Sequence, residues 1–286
     1  MNDTPESHAA RATADVNRWR LGIRLEVLPG QGVIEKFERA ATYGFDAVEL
    51  PGRYLDDYRV DLEANLDRLA LPISSVSLGF RGSLVSADPN ARRLCREDTK
   101  TLLRFCRRIG AVGLVMPPVL MQDTHARLTD PGAHGNLIDA QDALILEQLP
   151  ELAQAAAAAD VCLLLEPVNR FETDYLKRID HAVRLCERVG GAGLGITADF
   201  FHMQLEELST ASSLRAAGDW LGHVHVAENT RCEPGPGSLG FRPGFRALRD
   251  IGYDGYVVVE CRTLSGEQDQ VLPRCASYLR REMGSL

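Results

Sequence analysis

Apolar positions along the chain fall into two alternating rhythms. Short aliphatic runs, several of them continuous and bounded by Gly or Pro, recur eight times, over residues 20–27, 47–50, 73–78, 112–116, 161–167, 194–200, 222–228 and 256–262. A strand covered on both faces has no polar side, so it reads as continuous rather than alternating. Between the runs lie amphipathic stretches at helical spacing, over residues 32–43, 89–109, 139–160, 173–189, 205–220 and 242–251. Four of them stop at a glycine: Gly44, Gly110, Gly190 and Gly252. Glycine tolerates the left-handed conformation that closes a helix. Eight β-α units predict a closed (β/α)8 TIM barrel of the α/β class, one domain over residues 18–286. The first β-α turn lacks the G-x-G-x-x-G fingerprint that an open dinucleotide-binding sheet would carry. The polar residues 1–17 predict a frayed tail.

Composition narrows the function classes. The chain has 286 residues, 45% of them hydrophobic, and a formal net charge of −8. That balance argues against nucleic acid or an anionic membrane as partner, since both select a basic face. No run of about 18 apolar residues is available to span a bilayer, and the N-terminus has no apolar signal core. The seven cysteines are an odd number and never sit as C-x-x-C, which points to reduced thiols and a cytoplasmic protein. Two connections are long, over residues 79–88 and 117–138. Both leave the C-terminal face of a barrel, where sites are built, and the second is the candidate lid.

The candidate chemistry sits where apolar strands end. The fifth run closes on Glu166, the sixth on Asp199 with His202 three residues later, the seventh carries His223 and His225, and the eighth closes on Glu260. A carboxylate placed after several buried aliphatic residues is costly unless it is paired or binds a cation. In a barrel the four ends are neighbours. Two Glu, one Asp and one His form a mixed oxygen and nitrogen set suited to one divalent ion. Mn²⁺ fits best, with Mg²⁺, Co²⁺ or Zn²⁺ also compatible. His223 points the same way as His225 but one layer deeper, the place of a hydrogen-bonded core histidine. Glu49 closes the second run and reads either as a polar wall residue or as a salt-bridge partner. His125 and His134 lie in the long fourth connection and read as solvated; His8 and His181 carry no role.

The segments Glu166-Pro-Val-Asn-Arg-Phe-Glu172, Asp199-Phe-Phe-His202, His223-Val-His225-Val-Ala-Glu-Asn-Thr-Arg231 and Gly252-Tyr-Asp-Gly-Tyr-Val-Val-Val-Glu260 resemble the xylose-isomerase-like TIM barrels of the sugar phosphate isomerase/epimerase superfamily. The nearest pattern is that of the ketose 3-epimerases, the tagatose and psicose type. The resemblance implies metal ligands at Glu166, Asp199, His225 and Glu260, the set reached above from strand ends. It also implies substrate contacts at His202, Arg231 and Glu172, and catalytic roles for Glu166 and Glu260. The implied reaction is C3 epimerisation of a ketose, one Glu removing a proton and the other returning it through a metal-bound enediolate. It further implies a sugar as the small-molecule partner and a homodimer or homotetramer.

One departure is the stretch Gly237-Ser-Leu-Gly240-Phe241, where many relatives carry Gly-x-x-Asp-Phe. An aldose–ketose or hydroxypyruvate-type isomerase shares the enediolate, and a metal-dependent lyase on oxidised glycosides would need only the metal and a base. A non-catalytic sugar-binding protein needs no paired bases. A Schiff-base aldolase needs a strand-end lysine, and Lys36, Lys100 and Lys177 all fall in helical stretches. A multi-zinc endonuclease needs further His where the chain has Ser77 and Met116.

Overall fold

The computed structural model describes residues 19–121 and 126–284. The tail expected over residues 1–17, which holds His8, and His125 lie outside the described residues. Eight parallel strands close on themselves in chain order. They are β1 Arg20–Arg24, β2 Ala47–Pro51, β3 Ile73–Ser77, β4 Gly113–Met116, β5 Cys162–Leu165, β6 Leu194–Asp199, β7 Leu221–Val226 and β8 Tyr256–Val259. The predicted TIM barrel is the observed fold.

The helices form the outer layer: α1 Val33–Thr42, α2 Leu55–Ala64, α3 Pro89–Ile109, α4 Leu137–Leu146, α5 Leu149–Ala158, α6 Ile179–Val189, α7 Phe200–Glu206, α8 Thr210–Ala217, α9 Arg242–Asp250 and α10 Gln268–Gly284. The bounds of α3 match the sequence expectation because both caps are written there. Asp88 accepts a hydrogen bond from the Asn90 amide, Pro89 opens the first turn, and Gly110 closes the helix at φ +75°. The stretch 139–160 is two helices, not one. Pro150, which lacks an amide donor, sits in the first turn of α5. Residues 25–27, expected to prolong β1, instead form a 3₁₀ turn that leads the chain outward.

Register places the site. Across β6 and β7 Asp199 pairs with His225, and across β1 and β2 Arg24 pairs with Glu49. The Glu166 amide bonds to the Met116 carbonyl at 3.0 Å, and the Glu260 amide to that of Val226 at 3.0 Å, so both leave their strands at one level. One part of the core is aromatic: the rings of Phe200, Phe241 and Phe245 pack together with centroids 5.8–6.3 Å apart. Trp19 joins them 5.8 Å from Phe245. On the opposite side the loops after β2 and β3 touch backbone to backbone. A Cβ on Gly52 would lie 2.3 Å from the Leu78 carbonyl oxygen, and one on Gly79, at φ +104°, would lie 2.8 Å from Gly52. Among the described residues no helix is long and apolar enough to cross a membrane.

Candidate active site

Glu166, Asp199, His225 and Glu260 converge at the C-terminal mouth of the barrel. One ligand atom from each lies within 4.8 Å of the other three, and all four residues are buried. His225 Nδ1 stands 3.2 Å from Glu166 Oε1 and 3.1 Å from Glu260 Oε2. Its other nitrogen, Nε2, lies 2.9 Å from Glu49 Oε2. An ionised carboxylate only accepts, so Nε2–H donates to Glu49, and by the same rule a proton on Nδ1 is shared with Glu166 and Glu260 when no cation is there. That leaves Nδ1 aimed at carboxylate oxygens. Three carboxylates and one imidazole nitrogen facing a common point are the donor set of a cation site, and the residues present fit a divalent ion.

The charges are unevenly held. Burial, with the nearby Glu260 charge adding to it against the His225 hydrogen bond, pushes the Glu166 carboxyl up to about 7. Burial would raise Glu260 as well, but Arg231, His225 and Arg24 hold it well below the usual carboxylate range. Arg231 Nη1 donates to Asp199 Oδ2 at 2.5 Å, and its Nη2 donates to Glu260 Oε2 at 2.8 Å. Its guanidinium lies 4.3 Å over the Phe201 ring, and its backbone sits at φ +61°, in the left-handed region. A side chain other than glycine seldom occupies that region, so the strained turn after β7 is what turns Arg231 inward. Burial would lower His225, but the charges of Glu49 and Glu260 hold it well above its ordinary value.

His202 lines the cavity. Its Nδ1 accepts from the Asn169 backbone amide at 3.2 Å, so Nε2 bears the hydrogen, 3.4 Å from Asp199 Oδ2. Burial depresses its pKa and keeps the ring neutral. Glu172 accepts from Asn169 Nδ2 at 3.1 Å and from Arg262 Nη2 at 2.5 Å, at the rim. Glu166, Glu172, His202, Arg231 and Glu260 line a cavity of about 500 Å³, with Arg24, Tyr54, Ser77, Leu78 and Pro117 also in its wall, and Asp199 and His225 are clustered with Glu166 and Glu260 without lining it.

Residues 37–281 match the family described as xylose isomerase-like TIM barrel. A D-psicose 3-epimerase from Enterocloster bolteae is 39% identical over 80% of this chain and 76% of its own. A 3-dehydro-D-guloside 4-epimerase from Escherichia coli is 28% identical over 91% of this chain and 99% of its own. The crystal structure of a 3-keto-D-glucoside 4-epimerase from E. coli, 28% identical, superposes with a TM-score of 0.82 over 92% of this chain and 99% of that one.

The chain belongs to the xylose isomerase-like TIM barrel family. As a member of that family it is an isomerase/epimerase-class enzyme. In this xylose isomerase-like barrel the salt-bridge alternative read for Glu49 is the observed one, and two further contacts escape a sequence reading. Glu49 is fully buried, and its Oε2 accepts from Ser75 Oγ at 2.6 Å, His223 Nε2 at 3.0 Å and His225 Nε2 at 2.9 Å. It is thus the second partner that fixes the His225 ring, while His223 is the hydrogen-bonded core histidine expected. Arg24 joins Glu260 to Glu26 across the mouth. Glu228 accepts from the Gly235 and Leu239 amides at 2.9 and 3.0 Å, tying down the loop after β7. His134 is exposed, and His181 is a packing residue, buried on α6 against Tyr175 and Asp142.

Cys261 follows Glu260 and lines the same cavity. Cys261 is buried, and burial pushes its thiol up to about 12, so it is protonated at neutral pH. Cys261→Ala should keep most of its turnover and its metal content. Complete loss of turnover in a folded, metal-loaded variant would identify a missed nucleophile.

Proposed function

We propose that this chain epimerises a keto sugar at the carbon beside its carbonyl, with C3 of a ketose as the reacting position. The observation that carries the reading is the pair Glu166 and Glu260. They enter from the ends of β5 and β8, and one oxygen of each stands 3.2 and 3.1 Å from His225 Nδ1. Inverting a carbon by proton exchange needs a base on each face, whereas binding needs none.

Glu166, Asp199, His225 and Glu260 would hold one divalent ion, Mn²⁺ in this reading. Bound there, the ion supplies positive charge beside the substrate's carbonyl and hydroxyl oxygens, which acidifies the carbon between them. Glu166 and Glu260 stand to remove and return the proton on the two faces of that carbon. His202 offers Nε2–H to a substrate oxygen, since Asn169 fixes Nδ1 as an acceptor. Arg231 presents two parallel donors and, braced by Phe201, orients the hydroxyls it meets. Glu172, held by Asn169 and Arg262, accepts from a hydroxyl at the rim.

The D-psicose 3-epimerase relative supports C3. A second reading, inversion of C4 in a 3-keto glycoside, is supported by the relative aligned along 99% of its own length. Both are proton exchange next to a carbonyl. Turnover in D₂O with Mn²⁺ separates them: deuterium at C3 of product and recovered ketose supports the first, deuterium at C4 of a 3-keto glucoside the second. Deuterium at C1 with an aldose product would select an isomerase, and release of an aglycone a lyase. Asp199→Asn should weaken Mn²⁺ binding in a titration while keeping the fold; equal binding by wild type and variant would overturn the ligand set. Cytoplasmic residence is supported by the free cysteines, none of which forms a disulfide among the described residues. A homodimer or homotetramer is supported by the family resemblance and is read out by light scattering.

A further inference from the structure

The active-site cavity does not end at the reacting centre. On the side of β1 and β2 it adjoins a groove of about 270 Å³, and Glu26 and Tyr54 line both. The groove is walled by the turn after β1, by the start of α1 and by α2, with Gln31, Lys36, Asp57, Tyr58 and Asp61 among its side chains.

Its residues are specific in chemistry. Tyr54 stands at the junction with 56% of its surface exposed, an aromatic ring bare to solvent at the edge of a polar site. Such a ring offers a flat apolar face to the C–H side of a sugar and a hydroxyl at its tip. Asp57 lies one turn further along α2, and among the described residues its carboxylate has no hydrogen-bond partner. Asp61 is engaged by the Val33 amide at 3.3 Å and by Asn65 Nδ2 at 3.0 Å. Lys36 spends two of its hydrogens on the carbonyls of Leu25 and Leu28, at 3.3 and 2.6 Å. Three carboxylates, Glu26, Asp57 and Asp61, therefore face one ammonium, and Glu26 is already paired with Arg24. That balance repels a phosphate or carboxylate, while carboxylates accept readily from neutral hydroxyls.

We propose that this groove is a subsite for a second, neutral sugar ring carried by the substrate beyond the ring that reacts. The inference rests on the keto-sugar epimerase reading above and names the size of its substrate. The reacting sugar occupies the large cavity, its appended ring stacks on Tyr54, and its hydroxyls donate to Asp57. A free monosaccharide would leave the groove to water.

The test uses the Mn²⁺-loaded enzyme and two matched pairs of substrates: D-fructose with its 6-O-glucosyl derivative isomaltulose, and methyl 3-keto-glucoside with 3-keto-trehalose. In the pair that is turned over, the two-ring member should have a KM about tenfold lower, the scale of one hydrogen bond to a charged acceptor. Asp57→Ala should remove most of that advantage and leave the KM of the one-ring member unchanged. Tyr54→Ala should raise the two-ring KM as well. Equal KM values for one and two rings, or an Asp57→Ala effect shared by both, would overturn the subsite. Saturation-transfer NMR reads binding without turnover. Protons of the second ring should take up saturation from the wild type and lose it in Asp57→Ala; no transfer to that ring would equally overturn the subsite. Absence of turnover for every substrate, with transfer to the second ring intact, would instead overturn the epimerase reading and leave the groove assigned.

Discussion

Glu166→Gln and Glu260→Gln should each lower proton exchange at the reacting carbon by on the order of 10³-fold, the scale of losing a positioned acid or base. The two losses should differ in kind. Among the described residues Glu166 meets His225 through one contact and has no arginine ion pair, whereas Glu260 accepts from both Arg24 and Arg231. Glu260→Gln therefore removes the charge that two guanidinium groups face, and it should lower thermal stability more than Glu166→Gln does. Because both residues belong to the cation cluster, metal content has to be measured beside activity. A Gln variant that keeps its Mn²⁺ and still exchanges deuterium at the wild-type rate would remove that Glu from the proton-transfer pair.

The second large effect belongs to a residue that touches no substrate. Glu49→Gln should lower metal affinity or turnover by about 10–100-fold, as loss of a carboxylate behind a ligating histidine does. One oxygen of Glu49 accepts three hydrogen bonds, and only its negative charge makes that crowding favourable. A neutral amide of the same shape keeps the volume and loses the charge that holds the proton on His225 Nε2. The ring ¹⁵N shifts of His225 report this directly. In wild type they should show a protonated Nε2, and in Glu49→Gln a mixture of tautomers. Unchanged shifts with unchanged metal affinity would reduce Glu49 to packing. Glu49→Asp should restore part of the loss, because the charge returns at a longer reach.

The barrel was legible in the sequence because strands covered on both faces leave uninterrupted aliphatic runs, and eight of them are hard to read otherwise. The site was legible for a related reason: Glu166, Asp199 and Glu260 each end such a run, where burial makes an unpaired carboxylate costly. What was hidden is local polarity and distant contact. Helix α2 went unread because only Leu62 is buried along it, so its period is faint. Helix α10 carries Pro273 in its interior, a residue that ordinarily marks a helix end. The six residues before Ile179 were read into α6 although they are loop held by Asn169 and Thr173. Glu49 stayed ambiguous because its partners, His223 and His225, are 174 and 176 residues away, a closure made by the barrel alone.

The contact between Gly52 and Gly79 has a consequence for redesign. In the proposed reaction strands β5 to β8 would supply the proton chemistry, while the loops after β1 to β3 would shape the wall that meets the rest of the substrate. The loops after β2 and β3 are pinned where a single added methyl at either glycine would collide with backbone. A library meant to move substrate range should thus keep both glycines fixed and vary Arg53, Tyr54, Asp57 and Gln31 around them. Selection on such a library would explore new sugars on an unchanged catalytic half.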